Sequence, residues 1–137
     1  MIFSHLDARI ELTELILLLN RTYLEYFGNA NCALIMHLLN YEQYTDFKHE
    51  KRGDFSVGVT LDYISERTGL PRSTVHDQMQ KMMNKDIFVK QGKNFKFRLD
   101  SRGIPLVQQI LPQGREAIQE FLETKFMMVE EKKMRST

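Results

Sequence analysis

Residues 60–102 carry a run of start and stop signals that constrains the chain path more tightly than any other stretch of the sequence. Thr60 is a good N-cap for a helix in which Leu61, Ile64 and Thr68 recur at helical spacing. Gly69 then supplies a left-handed residue, Leu70 anchors the turn, and Pro71 suits the first position of a second helix, where its missing amide hydrogen is not needed. In that second helix Val75, Met79, Met82 and Met83 fall at i, i+4, i+7 and i+8, so one face is buried. The opposite face is polar: Ser73, Asp77, Gln80, Lys81 and Asn84, flanked by Thr74 and His76. After Asn84-Lys85-Asp86, the segments Ile87–Gln91 and Phe95–Leu99 predict a hairpin across Gly92-Lys93-Asn94. Phe95, Phe97 and Leu99 lie on its inner face, with Lys96 and Arg98 outward.

The charge distribution singles out the same stretch. From Arg67 to Arg102 there are nine basic and three acidic residues, a net +6, which leaves −5 for the remainder of a chain whose total is +1. Attraction to a polyanion is therefore confined to one region, and the acidic balance elsewhere limits non-specific adhesion. At 137 residues, 42% hydrophobic and 27% charged, the chain is expected to be one soluble globular domain with a core that needs neither disulfide nor metal. The longest aliphatic run, Leu15–Leu19, is too short to span a membrane. The first residues lack a signal-peptide pattern, so a cytoplasmic location is expected. The single cysteine, Cys32, cannot form an internal disulfide, and no Cys or His cluster has zinc-site spacing, so no metal or other cofactor is expected.

The flanks predict helices. Leu6–Phe27 reads as a helix ended by Gly28-Asn29, and Ile16, Leu17, Leu18 and Leu19 point in four directions around it. A helix apolar all round must be covered on several sides, and in so small a protein a second subunit is the natural extra cover. Asn31 is placed to cap a second helix running from Ala33 toward Tyr44, followed by a loop over Asp46–Asp54. Phe55, Val57 and Val59 alternate with Ser56 and Gly58 as a short strand that would join the hairpin in a small sheet. Past Gly103 a short helix around Leu106–Leu111 is interrupted by Pro112 and Gly114. The last helix aligns Ile118, Phe121, Leu122, Phe126 and Val129 in one apolar stripe, with Glu116, Glu120, Glu123, Glu130 and Glu131 outside it. The expected fold is mainly α with a small β wing. Residues 1–30 and 104–137 would supply dimerisation helices, through Leu6, Ile10, Leu17, Ile118, Phe121, Leu122 and Phe126, around a lobe spanning 31–103.

The string from Leu61 to Val75, followed by a basic hairpin and Leu99-Asp100-Ser101-Arg102-Gly103, resembles the winged helix-turn-helix transcriptional regulators. With long helices on both sides it is most similar to the MarR family, whose wing typically ends in Leu-Thr-x-x-Gly. The motif match covers Thr60 to Gly103, with the helix-turn-helix at 60–84 and the wing at 87–99. The resemblance implies a homodimer bound to double-stranded DNA, and an effector pocket for a small aromatic molecule between the dimer helices and the lobe. Two departures stand out. The acidic-arginine wing tip common in the family is replaced by the shorter Gln91-Gly92-Lys93-Asn94, which argues against deep insertion into a minor groove. Asp77 stands where a basic residue is common, so that either it reads a cytosine amino group or this helix binds DNA less tightly than its relatives do.

On this reading Ser73, His76, Asp77 and Gln80 face base edges, because the first turns of a recognition helix are the ones that reach them. Arg72, Thr74 and Lys81, with Lys93, Lys96 and Arg98 of the wing, suit the phosphate backbone. The plainer alternative is a solvated helix face and hairpin. Cys32 sits among Ala33, Leu34 and Ile35, where a small buried hydrophobe accounts for it more simply than a redox switch. His37 reads as a hydrogen-bonded structural histidine, and the methionines, Met127 and Met128 included, as packing. No phosphate-binding loop, zinc-hydrolase motif or nucleophile elbow is present in the sequence, so an enzyme is the class least supported. The expected function is a dimeric DNA-binding regulator, in simplest form a repressor on a near-palindromic operator. The rival is a winged-helix module for replication initiation or protein interaction.

Overall fold

The computed structural model describes residues 4–49 and 51–126, with backbone only for 125 and 126. It is mainly helical with one small antiparallel sheet. The order is α1 (Leu6–Phe27), α2 (Ala30–Lys48), β1 (Val59–Thr60), α3 (Leu61–Thr68), α4 (Arg72–Asn84), β2 (Phe88–Gln91), β3 (Asn94–Phe97), α5 (Val107–Ile110) and α6 (Pro112–Glu120), which continues as a π-helical segment, Phe121–Phe126. The expected Val129 and its neighbours Met127, Met128, Glu130 and Glu131 lie outside the described residues, as does the side chain of Phe126.

Helix α1 ends where the sequence places its stop. Gly28 takes φ 73° and returns its N–H to the Leu24 carbonyl, a conformation that costs an L-residue with a Cβ. The cap of α2 is Asn29 rather than Asn31. The Asn29 side chain accepts the Asn31 N–H at 2.7 Å, so Asn31 is the capped residue and the cap lies two residues earlier than expected. At its other end α2 runs on to Lys48, into the stretch expected to be loop. Asp46, one of the charges that suggested solvent, is buried and accepts the Gly53 N–H at 3.2 Å, holding the following turn against the helix.

The alternating segment 55–59 forms less strand than its pattern predicts. Only Val59 and Thr60 pair with β3, through Val59↔Phe95 and Thr60↔Asn94. Two residues earlier the backbone is claimed by a side chain. Buried Gln43 of α2 donates from Nε2 to the Val57 carbonyl at 3.0 Å and accepts the Val57 N–H on Oε1 at 3.4 Å. Gln43 thus imitates one rung of a ladder and docks the strand entry onto α2. Gln43→Ala should leave both Val57 groups without partners, at a cost of about 1–3 kcal/mol. A urea titration should show this as a lowered midpoint with an unchanged slope.

The sheet order is β1-β3-β2. Register in the hairpin brings Gln91 opposite Asn94, so the turn is the two residues Gly92-Lys93 and not the three expected. Asn94 belongs to the strand. Gly92 has φ 62° and Lys93 does not share the positive sign, the combination of a tight primed turn whose twist suits a hairpin. Buried Phe95 and Phe97 face inward as their alternation requires. Phe88 packs against Phe97 in a tilted ring contact, with centroids 5.1 Å apart.

A core of buried side chains runs from α1 and α2 (Leu19, Tyr23, Phe27, Ile35, Met36, Leu39) through α3 and α4 (Ile64, Val75, Met79, Met82) to the hairpin phenylalanines. Cys32 belongs to it: the thiol is fully buried, donates to Gln78 Oε1 at 3.1 Å, and is pushed up in pKa by that burial, which suppresses thiolate chemistry. His37 is hydrogen-bonded to Asn20 Oδ1 at 2.8 Å, the structural role its setting predicts, and burial lowers its pKa.

The last segment corrects another expectation. The break falls where Pro112 predicts it, since α5 ends at Ile110, Leu111 leaves helical geometry and Pro112 begins α6 where no amide hydrogen is needed, but Gly114 does not interrupt: it lies inside α6, buried. A Cβ on Gly114 would stand 3.2 Å from Leu19 Cδ2, so this glycine serves the close approach of α6 to α1.

The exit from the hairpin is organised by Asp100. Its carboxylate accepts the backbone N–H groups of Arg102 and Ile104 at 2.8 and 3.0 Å, the Arg102 guanidinium at 2.9 Å and the Gln109 amide at 2.5 Å. The Ile104 N–H, followed by the Arg102 contacts, holds its pKa below the ordinary 3.8. A depressed carboxylate stabilises the fold above its ordinary pKa and loses that contribution as pH falls through the lower folded value. Asp100→Asn should therefore lower stability at neutral pH and flatten the acid limb of stability measured against pH.

Candidate nucleic-acid interface

The two helices bracketing the sharp turn are tied by local chemistry that the residues 60–71 dictate. Thr60 Oγ1 accepts the Tyr63 N–H at 3.2 Å, which starts α3 as expected. Gly69 ends it at φ 77°, returning its N–H to the Ser65 carbonyl. Ser65 donates to the Leu70 carbonyl at 2.6 Å and Thr68 Oγ1 accepts the Leu70 N–H at 3.3 Å, so the turn is closed from both sides by hydroxyls. Pro71 stands at the cap of α4, one position before the helical residue it was expected to be.

Helix α4 buries Val75, Gln78, Met79 and Met82 and leaves Met83 half-buried. Ser73, His76, Asp77, Gln80, Lys81 and Asn84 are all exposed, and Thr74 is half-buried at the edge, so the four residues expected to reach base edges share one open surface. The helix ends in a Schellman arrangement: Asp86 takes φ 61°, its N–H bonds the Met83 carbonyl, and the Ile87 N–H reaches the Met82 carbonyl at 3.0 Å. That closure leaves Ile87 and Met82 both fully buried and delivers the chain into β2, which sets the hairpin beside α4.

Several cations around this face have partners that their sequence positions do not suggest. Arg72 pairs with Asp62 of α3 at 2.6 Å, Arg98 with Asp86 at 3.4 Å, and Lys96, half-buried, donates to Gln91 Oε1 at 2.6 Å. Lys85 lies 4.6 Å from the Tyr26 ring centroid, and Lys90 lies 5.6 Å from that of Phe95. Lys93, at the hairpin tip, and Lys81 form no ion pair among the described residues. Asp62 was missed because it falls before the basic run and its partner lies across the turn. Both ion pairs are solvent-exposed, where such contacts contribute about 0–1 kcal/mol, so the guanidinium groups exchange partners at little cost.

A second feature lies behind this surface. A cleft of about 370 Å³ is bounded by α1, α2, α5 and α6, with Tyr23, Asn40, Tyr44, Arg115 and Ile118 among its walls. Among the expected contact residues of the terminal helices, Leu6, Ile10 and Leu17 are 51%, 54% and 65% exposed and Leu122 is exposed. Ile118 and Phe121 are half-buried, and Ile118 packs on the core of its own chain. Among the described residues no group of three or more His, Cys, Asp or Glu is placed to hold a metal ion, and no helix is long and apolar enough to cross a membrane.

No protein-family model matches the chain, and comparisons with curated proteins and with solved structures likewise return no match.

Proposed function

We propose that the protein is a dimeric winged helix-turn-helix regulator of the MarR type that binds a near-palindromic site in double-stranded DNA and acts most simply as a repressor. In this reading α4 is the recognition helix and β2–β3 the wing. The observation that carries it is the undivided exposed polar face of α4, set between a turn closed by hydroxyls and a cation-bearing hairpin. Ser73, His76, Asp77 and Gln80 would meet base edges in the major groove, where Gln80 suits adenine. Arg72, Thr74, Lys81, Lys93, Lys96 and Arg98 would meet phosphates.

The dimer is supported by the terminal helices. Leu6, Ile10, Leu17 and Leu24 fall within about 40° of one another on α1 at about 100° per residue, and all four are exposed, while other faces of the helix pack on α2 and α6. Two such rows facing each other would set the recognition helices on successive major-groove turns, about 34 Å apart. The cleft beneath, with tyrosine, asparagine and arginine side chains among apolar ones, is where a small aromatic effector would act on the spacing of the lobes.

Selection from random duplex DNA tests the reading. A regulator should enrich a twofold-symmetric site, a replication factor direct repeats, and a protein-interaction module nothing. If each half neutralises about three phosphates, binding to the enriched site should fall with salt at a slope of about −5 in log K against log salt. A salt-insensitive constant would count against it.

A further inference from the structure

Resting on the DNA-binding reading, we infer that Asp77 selects a cytosine in each half-site, and that it does so as much by penalising other sequences as by its own bond. Asp77 lies near the middle of the exposed face of α4, one helical turn from Ser73 on one side and from Gln80 and Lys81 on the other, with its side chain 77% exposed. Its only partner among the described residues is its neighbour His76, with Nδ1 3.3 Å from Oδ1. The arginine on the same helix, Arg72, pairs with Asp62 of α3 and not with Asp77. Lys81, one turn further along the same face, forms no ion pair with Asp77, so the carboxylate stands at the front of the surface without a lysine or arginine bonded to it among the described residues.

An ionised carboxylate can only accept hydrogen bonds. Along the major groove guanine presents acceptors and thymine an acceptor and a methyl group. Only the cytosine N4 and adenine N6 amino groups donate. Adenine sets its amino group beside N7, whose lone pair opposes a second oxygen. Cytosine sets its own beside a C–H, which does not. Of the four bases, cytosine alone offers the carboxylate a donor with no major-groove acceptor on its own ring beside it.

Where no such donor stands opposite, a negative charge is pressed into a groove lined by phosphates and left without a partner. Specificity is a difference of affinities, and a repulsive group at the centre of a contact widens it. With Nδ1 turned to Asp77, His76 Nε2 is the ring atom left to face outward beside that cytosine.

The test compares the wild-type protein with Asp77→Ala and Asp77→Asn in selection from random duplex DNA. Affinities are then measured on the enriched site, on the same site with the cytosine replaced by pyrimidin-2-one, which lacks the amino group, and on random duplex. The wild type should fix cytosine at one position of each half and lose roughly 10- to 100-fold on the pyrimidin-2-one site. Asp77→Ala should bind those two sites equally and bind random duplex more tightly than the wild type does. Asp77→Asn should move the preference toward adenine, which an amide can pair bidentately. An enriched symmetric site whose base preferences survive Asp77→Ala, or an alanine variant weaker on random duplex, would overturn the inference and leave the regulator reading standing. Enrichment of nothing by the wild type would remove both.

Discussion

Replacing Ile10 and Leu17 together by glutamate is expected to split the proposed dimer into monomers and to weaken binding to the proposed symmetric site by roughly 10²- to 10⁴-fold. The two side chains lie on the same line of α1, more than half exposed, and neither belongs to the core of its own chain. Their loss should therefore leave each protomer folded. What disappears is the second binding event, which in a dimer is intramolecular and in a monomer must be paid for at bulk concentration. Four carboxylates facing one another across a twofold seam would also repel. Sedimentation of the variant should give the mass of one chain while its melting temperature stays near that of the wild type. A variant that still sediments as a dimer would show that the row through Leu6, Ile10 and Leu17 is not the contact.

Phe88→Ala should be the most damaging single truncation, at about 3–5 kcal/mol out of a stability of about 5–15 kcal/mol for a domain of this kind. Phe88 is the largest of the fully buried side chains. It lies directly opposite Phe97 in the register of β2 and β3, and it follows Ile87, which closes the end of α4. Removing the ring would open a cavity at the joint between helix and hairpin, which neither element can close without breaking the ladder. The expected result is a lowered urea midpoint and loss of protection in the β2–β3 amides. Lys93→Ala, at the exposed tip of the same hairpin, should change stability by no more than about 0.5 kcal/mol. An alanine variant at Phe88 as stable as the one at Lys93 would mean that the hairpin does not share the core.

These expectations draw unequally on sequence and structure, and the reason is range. What the chain determines by itself is local: the span of α1, the caps at Thr60 and Gly28, the turn at Gly69, the burial of Val75, Met79 and Met82, and the alternation of Phe95 and Phe97. Each depends on the dihedral preference of one residue or on a periodicity within one element, and both can be read within a few positions. The polar face of α4 belongs to the same class, because burying one side of a helix exposes the other.

Only the tertiary structure decided the rest. Gln43 displaced a strand rung at Val57 from 14 residues away, and Asp46 was drawn inward by the Gly53 N–H. Gly114 proved to be a packing residue because Leu19 of α1 lies against it. Arg72 and Arg98, counted as available cations, each found an aspartate elsewhere in the fold, Asp62 on α3 and Asp86 in the turn after α4. A side chain free to choose among distant partners carries no mark of that choice in its own neighbourhood of sequence. Which charges remain to meet a polyanion is therefore settled by the folded arrangement of α3, α4 and the hairpin, not by their composition.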